Sequence, residues 1–335
     1  MGDTAGRSRG LLRTLALGVT ATAGTLALLE RVTPWPSALL VRPAFERVAA
    51  RTSSELRKHV PGDLVETVDE AYDISSPDGR LDVFRPAREE PLPTVVWVHG
   101  GAFLSGGKGD VANYLRVLAG RGFTTVGVDY SIAPGSRYPT PVRQVAAAVA
   151  HLVDHADRLG IDPGRIVLAG DSAGAQLAAQ VALLVTDPAY ATEVGIDVAL
   201  EPASLRGLVL FCGAYDFRLA RGSSRLGNWF IDTAIRSYLG PSRHDERTTR
   251  HGTVPLHVSP SFPATFLSAG NGDPLLPHTL GLVEVLEQQQ VDHEVLLFPE
   301  DHDPRLGHEY QFDLDSLEGR EALDRAVAFV DRVTG

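Results

Sequence analysis

Cysteine is nearly absent: Cys212 is the only one in 335 residues. No intramolecular disulfide can form, so cysteine argues neither for nor against an oxidising compartment. Cys212 follows the apolar run "LRGLVLF" and reads as a small core residue. Basic charge is also in short supply. Lys and Arg number 31 against 42 Asp and Glu, a net charge of −11. No basic stripe is on offer for phosphates, which excludes a nucleic-acid partner. Internal repeats and low-complexity tracts are missing too. So is an uninterrupted apolar run of the roughly 20 residues that a full membrane span uses. The nearest approach is "TLALGVTATAGTLALL", residues 14–29, behind three arginines. Counted over 11–29 it reads first as a signal-anchor giving membrane association. A cleaved secretory signal, with Ala21-Thr22-Ala23 as its site, and a soluble amphipathic or buried helix are the other two readings.

What remains is an ordinary globular chain, 44% hydrophobic and 22% charged. "TPWPSALLVRP" (33–43) reads as a proline-bounded connector, and 43–60 as a helix. From Tyr72 onward short apolar runs alternate with helical stretches. "RLDVFRPA", "PTVVWVHG", "FTTVGVDY", "RIVLAG", "LRGLVLF", "ATFLSAG" and "HEVLLFPE" read as strands. Between them, 110–119, 138–160, 173–184 and 279–290 read as helices, with 318–333 closing the chain and 217–257 irregular. That alternation predicts an α/β fold with a mostly parallel central sheet and helices on both faces. Ligands of such sheets sit at the carboxyl ends of the strands.

At one of those ends stands "RIVLAGDSAGAQLA" (165–178). Gly-x-Ser-x-Gly is a cheap match by itself, because glycine eases any tight turn. Here it joins a buried strand to a small-residue helix, which is the setting of a nucleophile elbow at Ser172. A serine hydroxyl needs a base to take its proton, and the base needs a carboxylate to hold it. In chain order the acid comes next, then the histidine. Asp273, after "ATFLSAG", is the acid candidate. Two histidines follow "EVLLFPE". His302 is nearer the strand end but lies between Asp301 and Asp303, as a solvated loop residue would. His308, in "GHEY", is favoured on its spacing to the aromatic. "DHD" lacks further ligands at a metal-binding spacing, so no metal or other cofactor is called for. The loop "VVWVHGGAF" supplies Gly100 and Gly101, whose N–H groups, with that of Ala173, form a candidate oxyanion hole.

These motifs together resemble the α/β-hydrolase esterases similar to hormone-sensitive lipase. The resemblance rests on "HGGAF" (99–103), "DYSIAP" (129–134) with "YPTPVRQ" after it, "GDSAG" (170–174), "GDP" (272–274) and "GHEY" (307–310). It spans roughly residues 80–315. It implies the same nucleophile, acid, histidine and oxyanion donors, and a helical cap. The departures are Ala102 for the third glycine, Ser131 for arginine, Gly135 after the proline, Glu309 for glycine and Tyr310 for phenylalanine. The implied layout is an anchor or signal segment at 1–32, cap helices at 33–75 and a catalytic domain at 76–335, with 217–257 as a candidate cap insert. The implied chemistry is hydrolysis of a small-molecule carboxylic ester of short to medium acyl chain. Phe103, Leu104, Trp229, Phe230 and Tyr310 are the candidate walls of an acyl pocket. A deacetylase or amidase with the same triad, and a silent hydrolase-like binding protein, are the alternatives. Oligomeric state leaves no mark on the sequence.

Overall fold

The computed structural model describes residues 32–219 and 224–335. The expected anchor or signal stretch at 11–29 lies outside the described residues. Among the described residues no helix is long and apolar enough to cross a membrane. Eight strands form one sheet: β1 (Leu64–Ala71), β2 (Arg80–Pro86), β3 (Leu92–Val98), β4 (Thr124–Val128), β5 (Ile161–Asp171), β6 (Leu205–Phe211), β7 (Thr265–Ala269) and β8 (His293–Leu297). Their order is β1-β2-β4-β3-β5-β6-β7-β8. β2 runs antiparallel to both β1 and β4, and every other pairing is parallel.

The helices are α1 (Trp35–Leu56), α2 (Lys108–Ala119), α3 (Thr140–Asp154), α4 (Ala156–Leu159), α5 (Ser172–Thr186), α6 (Pro188–Val194), α7 (Arg225–Leu239), α8 (Glu246–Gly252), α9 (Leu276–Gln288) and α10 (Leu317–Thr334). Strand alternation divides the core into two layers. Val96 and Val98 join Leu168 and Leu208 beneath α3, α5 and α9. Val95 and Trp97 join Val167 and Phe211 on the other face, beneath α2 and α10. Both faces are covered, so the central strands can be apolar throughout.

Three expectations are revised. The connector expected at 33–43 is helical from Trp35, and α1 continues through Pro43. Pro36 falls at the helix start, where a missing N–H costs nothing. Pro43 is exposed, and so is Leu39, whose carbonyl it leaves without its helical partner. The long helix expected at 138–160 is two helices, broken at His155, with Gly160 ending the second in a left-handed conformation at φ 68°. The segment 217–257, expected as irregular, is mostly helical. Ser224 accepts from the Gly227 N–H to start α7, and Asp245 accepts from Arg247 and Thr248 to start α8. α1 and α7 meet through Phe45 and Phe230, whose rings stack at 5.5 Å.

Candidate active site

β5 ends at Asp171 and α5 starts at Ser172, with no connecting residue. So abrupt a turn forces Ser172 to φ 52°, a left-handed conformation that costs a non-glycine residue about 1 kcal/mol or more. The flanking glycines are what let it form. A Cβ on Gly170 would lie 2.6 Å from the Gly174 backbone carbon, and one on Gly174 would lie 2.0 Å from the Val98 carbonyl oxygen. Helix α5 can pack this closely on β3 only without those carbons.

Ser172 Oγ–H donates to His308 Nε2 at 3.0 Å. His308 Nδ1–H donates to both Asp273 oxygens, at 3.0 Å each. Asp273 follows β7 and is also fixed by the Leu275 N–H, which donates to its Oδ1 at 2.7 Å. His308 reaches the serine from the loop after β8. Its rival His302 is turned away: Nε2 meets Glu318 at 3.1 Å and the ring packs on Phe298 at 4.6 Å. Asp301 and Asp303 hold neither of its ring nitrogens.

Burial alone would lower the His308 pKa. The Cys212 sulfur, the hydrogen bond to Asp273 and the Glu309 carboxylate outweigh it, and the net direction is upward. Burial pushes the Cys212 thiol itself up to about 11. At neutral pH that sulfur is uncharged, so the ionic support comes from Asp273 and Glu309. Cys212, Asp273 and His308 are the one grouping of metal-ligand side chains among the described residues. It consists of the histidine and its carboxylate with a buried thiol beneath them.

The loop after β3 leaves beside the elbow, with the His99 carbonyl oxygen 2.4 Å from where a Gly174 Cβ would stand. Gly101, Ala102 and Phe103 all have positive φ, at 108°, 55° and 61°. A Cβ on Gly101 would fall 2.2 Å from the Ser105 carbonyl oxygen, so this glycine is required by the turn. Ala102 keeps the glycine-like backbone despite its methyl group. The Ala173 N–H lies in the first turn of α5 and has no acceptor within its helix. Arg42 on α1 clamps the loop, donating to the Leu104 carbonyl at 2.7 Å and the Ala133 carbonyl at 2.9 Å.

A cavity of about 270 Å³ opens beside His308 and the Gly100–Gly101 turn, with α1 as one wall through Phe45 and Val48. The five expected pocket residues do not line this cavity. Leu104 is wholly buried in the core. Phe103 stacks on Tyr238 at 3.9 Å. Tyr310 turns its hydroxyl to Ser268 Oγ at 2.7 Å. Phe230 stands behind Phe45, and Trp229 is 39% exposed. Three carboxyl groups also line it, Asp110, Asp171 and Glu309; of these the sequence marks only Glu309, as a departure from the resembling family. Asp171 and Glu309 sit inside motifs already noted. Their contact joins distant loops, and no spacing announces it.

The matching family model is described as an alpha/beta hydrolase fold and covers residues 95–303, more than half of the chain. The protein belongs to this α/β-hydrolase family. Similar solved structures share the fold at low identity. Esterase B from Lactobacillus rhamnosis is 22% identical with a TM-score of 0.77, over 89% of this chain and 96% of that one. A hyperthermophilic esterase from Pyrobaculum calidifontis is 23% identical with a TM-score of 0.72, over 89% and 94%. A fungal esterase from Rhizomucor miehei is 24% identical with a TM-score of 0.68, over 89% and 91%.

Proposed function

We propose that the protein is a serine carboxylesterase acting on esters of short to medium acyl chain, with Ser172 as nucleophile, His308 as base and Asp273 as orienting acid. The observation that carries this reading is the single imidazole spanning Ser172 and Asp273 with 3.0 Å contacts on both sides. His308 Nε2 takes the Ser172 proton as Oγ attacks the acyl carbon. The resulting O⁻ accepts from the N–H groups of Gly100, Gly101 and Ala173, an interaction worth several kcal/mol of barrier. The protonated His308 then gives its proton to the leaving alcohol oxygen. A water, deprotonated by the same histidine, attacks the acyl-enzyme and releases the acid. Asp273 accepts from Nδ1 throughout and so keeps the tautomer whose Nε2 lone pair faces the serine. The catalytic domain is 76–335. α1, together with α7 from the 217–257 insert, acts as the cap over the cavity, a role supported by the Phe45–Phe230 stack and the Arg42 clamp.

Hydrolysis of p-nitrophenyl butyrate tests the assignment. Ser172→Ala and His308→Ala are each expected to lower kcat by about 10⁴ or more while the melting temperature holds. His302→Ala is expected to keep most of the activity. Turnover retained by Ser172→Ala, or lost in His302→Ala alone, would overturn it.

A further inference from the structure

The carboxyl groups beside His308 take no part in the proton transfers just described. Asp171 is 3% exposed and accepts the Trp97 Nε1–H at 2.8 Å. The Glu309 carboxyl is its neighbour: a Cβ on Gly100 would lie 2.2 Å from Asp171 Oδ2 and 3.1 Å from Glu309 Oε1. Both line the cavity, as does Asp110. Two carboxyls in contact hold one proton between them and keep one negative charge. Glu309 Oε1 also lies 3.6 Å from His308 Nε2. Its backbone has φ 61°, a left-handed conformation that suits glycine. The chain tolerates that cost and places a carboxylate there.

A second, independent feature of the cavity asks for the same kind of ligand. His99 lines it at 1% exposure, and its Nε2 has no hydrogen-bond partner among the described residues. Its Nδ1–H donates to the Gly100 carbonyl at 2.8 Å, which leaves Nε2 an acceptor. Burial lowers the His99 pKa, so the ring stays neutral. The side chains of this corner therefore present acceptors and negative charge. No lysine or arginine lines the cavity among the described residues. The apolar wall of Phe45 and Val48 lowers the local dielectric, which strengthens the pull on a cation.

We propose that Glu309, paired with Asp171, is a specificity-determining residue that selects esters whose alcohol carries a protonated amine. The inference rests on the carboxylesterase reading and names the substrate class of that same site. The alcohol side is assigned by geometry. His308 Nε2 must reach the leaving alcohol oxygen, and Glu309 is the carboxylate beside that nitrogen. An ammonium a few bonds beyond the oxygen meets Glu309 and Asp171 and can donate to them. The excess of acidic residues over the whole chain steers cations toward the site.

A pair of isosteric esters separates charge from shape. Dimethylaminoethyl butyrate is an ammonium at neutral pH, and isopentyl butyrate is its uncharged counterpart. Butyrate release would give kcat/KM for each with the wild type, Glu309→Gln and Glu309→Gly. The wild type is expected to favour the ammonium ester by roughly tenfold or more, a preference that salt weakens. In both variants the ratio is expected to fall toward one, whatever happens to either rate alone. A wild-type ratio near one, or a preference that survives in both variants, overturns the proposal. The neutral ester guards the underlying reading. Its hydrolysis without discrimination sinks the selectivity alone, whereas no turnover of either butyrate or of the p-nitrophenyl ester sinks the esterase assignment itself.

Discussion

With Nδ1–H held by Asp273, His308 keeps its Nε2 lone pair for the serine, and in its proposed role only the uncharged ring can serve as base. The imidazole pKa is raised above its ordinary value, so the charged, inactive form persists to higher pH than for a free histidine. The sign follows directly. kcat/KM is small below the pKa, climbs tenfold per pH unit as the proton leaves, and levels off above it. The acid-limb midpoint is expected above the ordinary value of about 6.5. Asp273→Asn removes the carboxylate that holds the proton, so it is expected to move the midpoint down while lowering kcat by about 10⁴. A pH profile of p-nitrophenyl butyrate hydrolysis by the two proteins measures both. A wild-type midpoint at or below that of Asp273→Asn would contradict the stated balance of charges around the ring.

One methylene decides the fit between α5 and β3. A Cβ at position 174 would stand 2.0 Å from the Val98 carbonyl and 2.4 Å from that of His99, both backbone atoms with no rotamer to yield. Gly174→Ala therefore has to push the helix off the sheet and carry Ser172 with it. The expected cost is about 3 kcal/mol, read as a lower urea midpoint, together with a fall in kcat because the serine leaves its histidine. A variant as stable and as active as the wild type would mean that the elbow is looser than drawn. These same contacts explain what could be read from the sequence. The carboxyl-terminal parts of β3 and β5, with α5 and the elbow, are buried on all sides, so their composition is dictated and "VVWV" and "GDSAG" stand out. β1 went unrecognised because it is an edge strand: "LVETVDEA" spends its residues on Glu66 pairing with Arg116 and Glu70 with Arg158, and charge on an edge hides the period of two. The 217–257 segment looked irregular because α7 buries only one side, at Thr233, Ala234 and Ser237–Leu239. Among the triad candidates, chain order narrowed the histidine to two, and the neighbourhood of Glu318 separates them. The pocket walls were the least legible part. An aromatic side chain in a sequence does not say whether it faces a cavity or, as Phe103 and Tyr310 do, another ring or a buried hydroxyl.

Across the whole molecule, an acid sunk at the rim of the sheet ties stability to pH. Burial first, and then the Glu309 carboxylate, push the Asp171 carboxyl well above the ordinary carboxylate range. The unfolded chain has no such environment and gives up this proton at a pH of about 4. Between the unfolded and folded pKa values the folded protein therefore binds a proton that the unfolded chain has lost. Stability from this group is fully present below the lower value and drains away as pH rises toward the upper one, by at most about 1.4 kcal/mol per pH unit. Asp171→Asn keeps an oxygen to accept the Trp97 Nε1–H and an amide to donate to Glu309, yet it has no proton to lose. Melting temperatures of the two proteins across mildly acid to mildly alkaline pH should diverge in the variant's favour as pH rises, since only the wild type must bring a second negative charge up against Glu309. If the difference stays constant over that range, Asp171 is not the buried acid that these contacts make it.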